Sequence, residues 1–206
     1  MEFWNDQAID RSWKVLNQLV STYRFILIGG WACYLYTKMI KSKDIDIIID
    51  YEMLYYMKST LSLKKNEILK RYEAIVDGIS IDIYVPFYSE LALPLEYIQK
   101  NTLKTEGLII PKPEILVILK QQAEMERKNS VKGQKDRVDI LNIIMKSDIN
   151  FKTYFAIIKE YNLINYESRL ETIIRTAKNE FSYLGIENAR KIKLIKKDLI
   201  QRMNSA

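Results

Sequence analysis

Three aspartates occupy alternate positions in two isoleucine-rich stretches. In Lys43-Asp44-Ile45-Asp46-Ile47-Ile48-Ile49-Asp50, a period of two turns Ile45, Ile47 and Ile49 to one face of a strand. Asp44 and Asp46 fall on the other face. Ile79, Ile81, Ile83 and Val85 repeat the apolar face later in the chain and leave Asp82 opposite it. Carboxylates one pleat apart repel each other and need a cation or water between them. Mg²⁺ (or Mn²⁺) suits such a place, because it takes hard oxygen ligands, often one or two carboxylates together with substrate phosphates. If the two strands pair with their isoleucine faces together, Asp82 joins Asp44 and Asp46. Three carboxylates on one sheet surface are what metal-assisted phosphoryl or nucleotidyl transfer requires. An Asp-x-Asp alone more often keeps a sheet face soluble, yet Asp is a poor strand former, and solvated strands favour Thr, Lys or Glu.

A glycine turn precedes this segment. Gly29-Gly30 follows the apolar run Phe25 to Ile28 and opens a helical stretch from Trp31 to Met39. Backbone N–H groups and the positive end of that helix are then available to phosphate. The turn is neither a Walker loop nor a dinucleotide fingerprint, both of which need further glycines at fixed spacing. Residues 31–43 leave room for one helix and a short turn before Asp44.

The elements that must position these groups follow from periodicity. A helix is expected over 3–22 with Ile9, Trp13, Leu16 and Val20 inward, and strands over 24–28 and 43–50, with a helix over 51–61. Two further strands, 67–76 and 79–85, flank Asp77-Gly78, a strong hairpin signal. Pro111 and Pro113 mark a change of character, after which helices are expected over 114–128, 134–147, 150–161, 166–181 and 186–203. The expected organisation is residues 1–110 as a mixed α/β domain and 111–206 as a helical domain, an α+β chain.

Leu27-Ile28-Gly29-Gly30-Trp31-Ala32 together with Ser42-Lys43-Asp44-Ile45-Asp46 resembles the core motif of the polymerase-β-like nucleotidyltransferases. The likeness is greatest to the AbiEii/MenT-type branch, which includes toxin components of toxin–antitoxin systems. The resemblance implies a mixed-sheet palm domain over 1–110. It also implies phosphate binding at Gly29, Gly30 and Ser42, Mg²⁺ at Asp44 and Asp46, and a third acidic residue at Asp82. Pro113 to Lys120 resembles the family helix whose lysine meets the triphosphate, which implies that role for Lys120, with Arg127 two turns on. Lys135-Asp136-Arg137-Val138-Asp139 resembles the helix after it. The matches touch 25–50, 79–86 and 113–141. Many relatives carry Arg where this chain has Ile40, and Thr where it has Ser42.

Composition narrows the chemistry. The 206 residues contain no histidine, which excludes Ser-His-Asp and Cys-His catalysis and histidine-ligated zinc. Cys33 is the only cysteine, so no internal disulfide forms and a cytoplasmic location is expected. No apolar run approaches the roughly 20 residues of a membrane span. A formal net charge of +6 favours polyanionic partners. Arg190, Lys191, Lys193, Lys196, Lys197 and Arg202 gather near the C-terminus, where Ile192, Ile195, Leu199 and Met203 also give an ordinary core stripe. The expected function is metal-dependent transfer of a nucleotidyl group from an NTP to an acceptor hydroxyl. The acceptor can be the 3′ end of tRNA or another RNA, a small molecule such as an antibiotic, or a cognate toxin or antitoxin protein. The alternative from a different class is a non-enzymatic antitoxin or binding module that keeps the fold.

Overall fold

The computed structural model describes residues 6–206. The chain begins with α1 (Asp6–Thr22), β1 (Ile26–Ile28), α2 (Gly29–Thr37), β2 (Ile45–Ile48) and α3 (Tyr51–Thr60). Strands β3 (Lys64–Asn66), β4 (Arg71–Val76) and β5 (Ile79–Tyr84) follow, then the short α4 (Leu95–Lys100) and the hairpin β6 (Thr102–Thr105) and β7 (Leu108–Pro111). Residues up to Lys112 form one compact unit and residues from Pro113 a second. The second holds α5 (Pro113–Arg127), α6 (Val131–Lys146), α7 (Phe151–Glu160), α8 (Tyr166–Thr176), α9 (Asn179–Tyr183) and α10 (Ala189–Asn204). Residues 3–5, expected to start the first helix, lie outside the described residues.

Among the described residues, seven strands make one mixed sheet in the order β3-β4-β5-β2-β1-β7-β6. The pairs β1–β7 and β2–β5 are parallel, and the rest are antiparallel. Asp77 and Gly78 both have positive φ (50° and 76°), the two-residue turn that matches strand twist, and they lock Val76 opposite Ile79. Leu27, Ile45, Ile47, Ile81 and Ile83 are then fully buried on one face. Helix α1 packs against β5, and α2 against β1 and β2. The α1 seam is Ile9, Ser12, Val15, Leu16 and Leu19, one position round from the expected stripe. That offset lets Ser12 accept a hydrogen bond from the buried Trp31 indole N–H at 2.9 Å.

Several boundaries differ from expectation for local reasons. Residues 67–70 form a turn, not strand, because the Asn66 side chain accepts from the N–H groups of Ile68 and Leu69 and Lys70 adopts φ 47°. Helix α2 starts on Gly29 itself and ends where Lys38 turns left-handed at φ 55°. The expected helix over 166–181 breaks at Ala177, and the Glu180 carboxylate caps the Lys178 N–H at 2.9 Å. The β6–β7 hairpin turns on Glu106-Gly107, again with both φ positive.

In the second unit, α5 and α6 bury charged side chains against each other. Lys120, Glu124, Lys135, Asp136 and Asp139 are all buried. Glu124 accepts from Arg169 Nε at 2.8 Å and lies 3.9 Å from Arg137 Nη1. Arg137 in turn meets Glu180 at 2.6 Å. No helix among the described residues is long and apolar enough to cross a membrane. Removing the shared acceptor leaves the half-buried Arg169 guanidinium without that carboxylate, while Arg137 keeps Glu180. Glu124→Ala is therefore expected to destabilise the helical unit by about 3–5 kcal/mol, measured by urea unfolding.

Candidate active site

Register fixes which side chains share the open face of the sheet. Across the strands, Ile28 on β1 stands opposite Asp46 on β2, Asp46 opposite Asp82 on β5, Asp82 opposite Glu73 on β4, and Glu73 opposite Lys64 on β3. A second row beside it runs Ile48, Tyr84, Arg71 and Asn66. The structure thus brings Asp46 and Asp82 together on adjacent strands, about 4.8 Å apart in the backbone. The strand expected over 43–50 is shorter, so Asp44 lies in the bend just before β2, where its charge still acts on Asp82.

Gly29 sets the closest approach. It ends β1 and begins α2 with φ +66°, and a Cβ placed on it would lie 2.1 Å from Asp46 Oδ2. The Asp46 carboxylate therefore sits against bare backbone at the N-terminus of α2, where unsatisfied N–H groups and the helix dipole favour negative charge. Only glycine allows both the backbone angle and the contact. Gly30 is buried in the first turn of α2, and Ser42 is buried just before Asp44. Ile40 is half-buried where the resembled family carries Arg.

Electrostatics bears out the crowding. Burial first, and Asp46 and Asp44 after it, push the Asp82 carboxyl up to about 7, against the pull of Arg71. Burial, reinforced by the same carboxylates, raises the Tyr84 phenol, so it stays neutral. Arg71 Nη1 lies 2.8 Å from Asp82 Oδ2, while its Nε and Nη2 donate to Glu73 Oε1 at 3.1 and 3.0 Å. Asn66 Nδ2 donates to the same Glu73 oxygen at 2.9 Å. Arg71 thus holds Asp82 directly, Glu73 and Asn66 fix Arg71 from β4 and β3, and sequence reading missed all three. The signal was present, since counting back from the Asp77-Gly78 turn places Glu73 opposite Asp82.

The donor set fits Mg²⁺: hard carboxylate oxygens whose mutual repulsion a cation would relieve, beside backbone N–H groups suited to phosphate. Among the described residues no three acidic, cysteine or histidine side chains converge closely enough to enclose a metal by themselves. Asp44, Asp46 and Asp82 do not form such a group. Lys120 and Arg127 belong to the helical unit. Lys120 Nζ lies 3.1 Å from Asp136 and 2.7 Å from Asp139, and Lys135 reaches Asp139 at 3.0 Å. Arg127 grips Asp136 with two nitrogens, at 2.7 and 3.1 Å, and its side chain is 42% exposed. Although burial opposes it, Lys120 and Arg127 hold the Asp136 carboxyl below the usual range. The α5 charges thus form a buried network, not a solvated face. On α10 the apolar stripe buries Leu199 and Met203, while Arg190, Lys191, Lys193 and Lys197 are exposed.

No protein-family model matches the sequence, and no curated protein matches it significantly. Solved structures share the fold. JHP933 from Helicobacter pylori aligns over 98% of this chain and 97% of its own, with a TM-score of 0.51 at 17% identity. More distant likenesses include an antigenic nucleotidyltransferase-like protein from Paracoccidioides brasiliensis (TM-score 0.41, 16% identity, 81% of this chain and 93% of that one). A candidate nucleotidyltransferase from Thermotoga maritima is comparable (0.42, 17%, 62% and 91%). The mixed-sheet architecture with its helical second unit is therefore a fold this chain shares with JHP933 along nearly the whole of both chains.

Two outcomes are expected. Gly29→Ala combines backbone strain with displacement of Asp46, whereas Gly107→Ala, at φ +81° with nothing within 4 Å, has the strain alone. Gly107→Ala should lose about 1–2 kcal/mol in urea unfolding and Gly29→Ala more, and only Gly29→Ala should weaken Mn²⁺ binding, by about 10- to 100-fold. The second concerns pH. An unfolded Asp ionises near 4, whereas Asp82 in the fold stays protonated until about 7. Its contribution to stability is thus full below pH ~4 and lost as pH rises through about 7. In chelator, Asp82→Asn should flatten that decline in Tm between pH 4 and 7.

Proposed function

We propose that this chain is a metal-dependent nucleotidyltransferase. The observation that carries the reading is the in-register Asp46–Asp82 pair, with Asp46 seated against the backbone of Gly29 at a helix N-terminus. In this reading Asp44 and Asp46 hold Mg²⁺ or Mn²⁺, with Asp82 as third ligand. The bound ion supplies charge neutralisation for an NTP triphosphate and lowers the barrier to attack on its α-phosphorus. The Gly29-Gly30 turn, with Ser42 near it, binds phosphate oxygens through backbone N–H groups and the Ser42 hydroxyl. Asp82, opposite Asp46 across the two strands, accepts the proton of the acceptor hydroxyl as that oxygen bonds to phosphorus and pyrophosphate leaves. The resemblance would give the triphosphate to Lys120 and Arg127, although Lys120 is buried against Asp136 and Asp139. Of the two, Arg127 is the more exposed, and Lys120 anchors the Asp136 that orients it.

The resemblance to AbiEii/MenT-type proteins supports an RNA acceptor, such as a tRNA 3′ end, and a toxin–antitoxin setting in the cytoplasm. Transfer to a cognate protein partner or to an antibiotic hydroxyl would use the same groups. Ile40 in place of the family's Arg favours the non-catalytic binding or antitoxin module as second reading, and the retained Asp44, Asp46 and Asp82 weigh against it.

Incubation with each labelled NTP, Mg²⁺ or Mn²⁺ and total RNA tests the proposal. Label is expected on RNA 3′ ends and is expected to vanish in Asp44→Ala/Asp46→Ala. Label on protein alone would point to the partner-modifying reading. Absence of any labelled acceptor, together with no thermal shift from metal and NTP, would sink the enzyme reading.

A further inference from the structure

Large apolar side chains are exposed in a concentrated way at one corner of the first unit. Phe87 is 92% exposed, on backbone at φ 59°, and Ile68 in the β3–β4 turn is 91% exposed. Tyr55 on α3 also faces solvent. Hydrogen bonds tie these segments together: the Tyr51 hydroxyl donates to the Pro86 carbonyl at 2.7 Å, and the Tyr88 hydroxyl to the Asn66 carbonyl at 2.8 Å. Contiguous apolar exposure of this kind marks a binding surface more often than scattered exposure does.

Lysines are interleaved with the rings. Tyr72 and Tyr88 lie with centroids 5.5 Å apart. Lys58 Nζ stands 4.9 Å from the Tyr72 centroid, and Lys65 and Lys70 stand 4.6 and 5.8 Å from that of Tyr88. Glu67 pairs with Lys65 at 2.6 Å, so the surplus charge comes from Lys58, Lys70 and the exposed Lys64. Ammonium groups gathered over the half-buried rings of Tyr72 and Tyr88, beside the exposed ring of Phe87, suit a ligand with alternating anions and flat rings, which is a single-stranded polynucleotide. An acidic protein surface would use the charges but not the rings.

Position adds a direction. Lys64 is in the same cross-strand row as Glu73, Asp82 and Asp46. Two strand steps, about 10 Å, separate it from Asp82, the span of roughly three stacked nucleotides. Lys65 stands opposite Tyr72, and Tyr72 opposite Ile83, so the lysine–tyrosine cluster lies on the reverse face from Asp82, and a chain ending at Asp82 reaches it by passing round the β3 edge.

We infer that the β3 edge, with Lys58, Lys65, Lys70 and Phe87, binds the single-stranded RNA segment that leads to the acceptor hydroxyl. The direction toward Asp82 rests on the nucleotidyltransferase reading; the binding does not. The full chain is titrated into a labelled 12-nucleotide oligouridine, read by fluorescence anisotropy from 50 to 200 mM salt. Lys58→Ala/Lys65→Ala/Lys70→Ala should weaken binding at least about tenfold and reduce the salt slope by roughly 2, since Lys65 is paired with Glu67. Phe87→Ala should weaken it by about 5- to 100-fold. Arg190→Ala/Lys193→Ala/Lys197→Ala on α10 should change it less than about twofold. The inference is overturned if the wild type binds no RNA, if the sheet-edge triple binds normally, or if the loss falls on the α10 variant. It is overturned too if affinity is insensitive to salt and falls only in Phe87→Ala, the pattern of an apolar protein contact. A thermal shift by Mn²⁺ and NTP in the wild type, retained in the triple variant, keeps the two readings apart. Its absence from the wild type speaks against the nucleotidyltransferase reading, and loss of RNA binding alone speaks against the surface.

Discussion

Asp46 and Asp82 face each other across β2 and β5 because the sheet register leaves them nowhere else to go. Left free, two carboxylates in a partly buried setting would separate or share a proton. Here the separation is blocked by buried isoleucines on the reverse of both strands, whose packing a one-residue slip would turn into solvent. Core packing thus sustains electrostatic strain at the surface. Burial first, and repulsion from Asp46 after it, raise the Asp82 carboxyl, and Arg71 offsets part of this. The glycine at 29 belongs to the same constraint, since the Asp46 carboxylate occupies the volume a side chain would fill.

The helical unit handles buried charge differently. Lys120, Arg127, Lys135, Asp136 and Asp139 compensate one another across α5 and α6, and Glu124 is satisfied by arginines from α8 and α6. Such networks add little net stability over apolar packing, but they are severely destabilised when a single member is removed. Their geometry specifies how α5 and α6 face each other. One unit therefore concentrates like charge where chemistry is proposed, and the other neutralises it internally.

Much of this was legible in sequence, for identifiable reasons. Isoleucine–aspartate alternation gave the open face, and Asp77-Gly78 gave the hairpin, because each is a local rule with one conformational solution. Lys64–Asn66 and the β6–β7 hairpin were missed for the opposite reason. A three-residue strand has too few alternations to show a period, and Glu106-Gly107 lacks the usual Asn or Asp of such turns. Arg71 escaped because its importance lies in a diagonal contact to Asp82, which depends on register and not on its neighbours in the chain. The α5 charges looked solvated because spacing alone does not reveal what a helix packs against.

The sheet order has a bearing on how the chain emerges during synthesis. β1 is an apolar strand of three residues, Ile26, Leu27 and Ile28, and one of its flanks is covered by β7, which follows some 80 residues later. Until residues 108–111 arrive, that flank is an open, uncharged edge able to pair with another nascent chain. The opposite margin needs no such cover: β3 is short and carries Lys64 and Lys65, which discourage strand addition. A ribosome-bound fragment ending before the late hairpin is thus the form of this protein most prone to aggregate, and the hairpin acts as the sheet's closing guard.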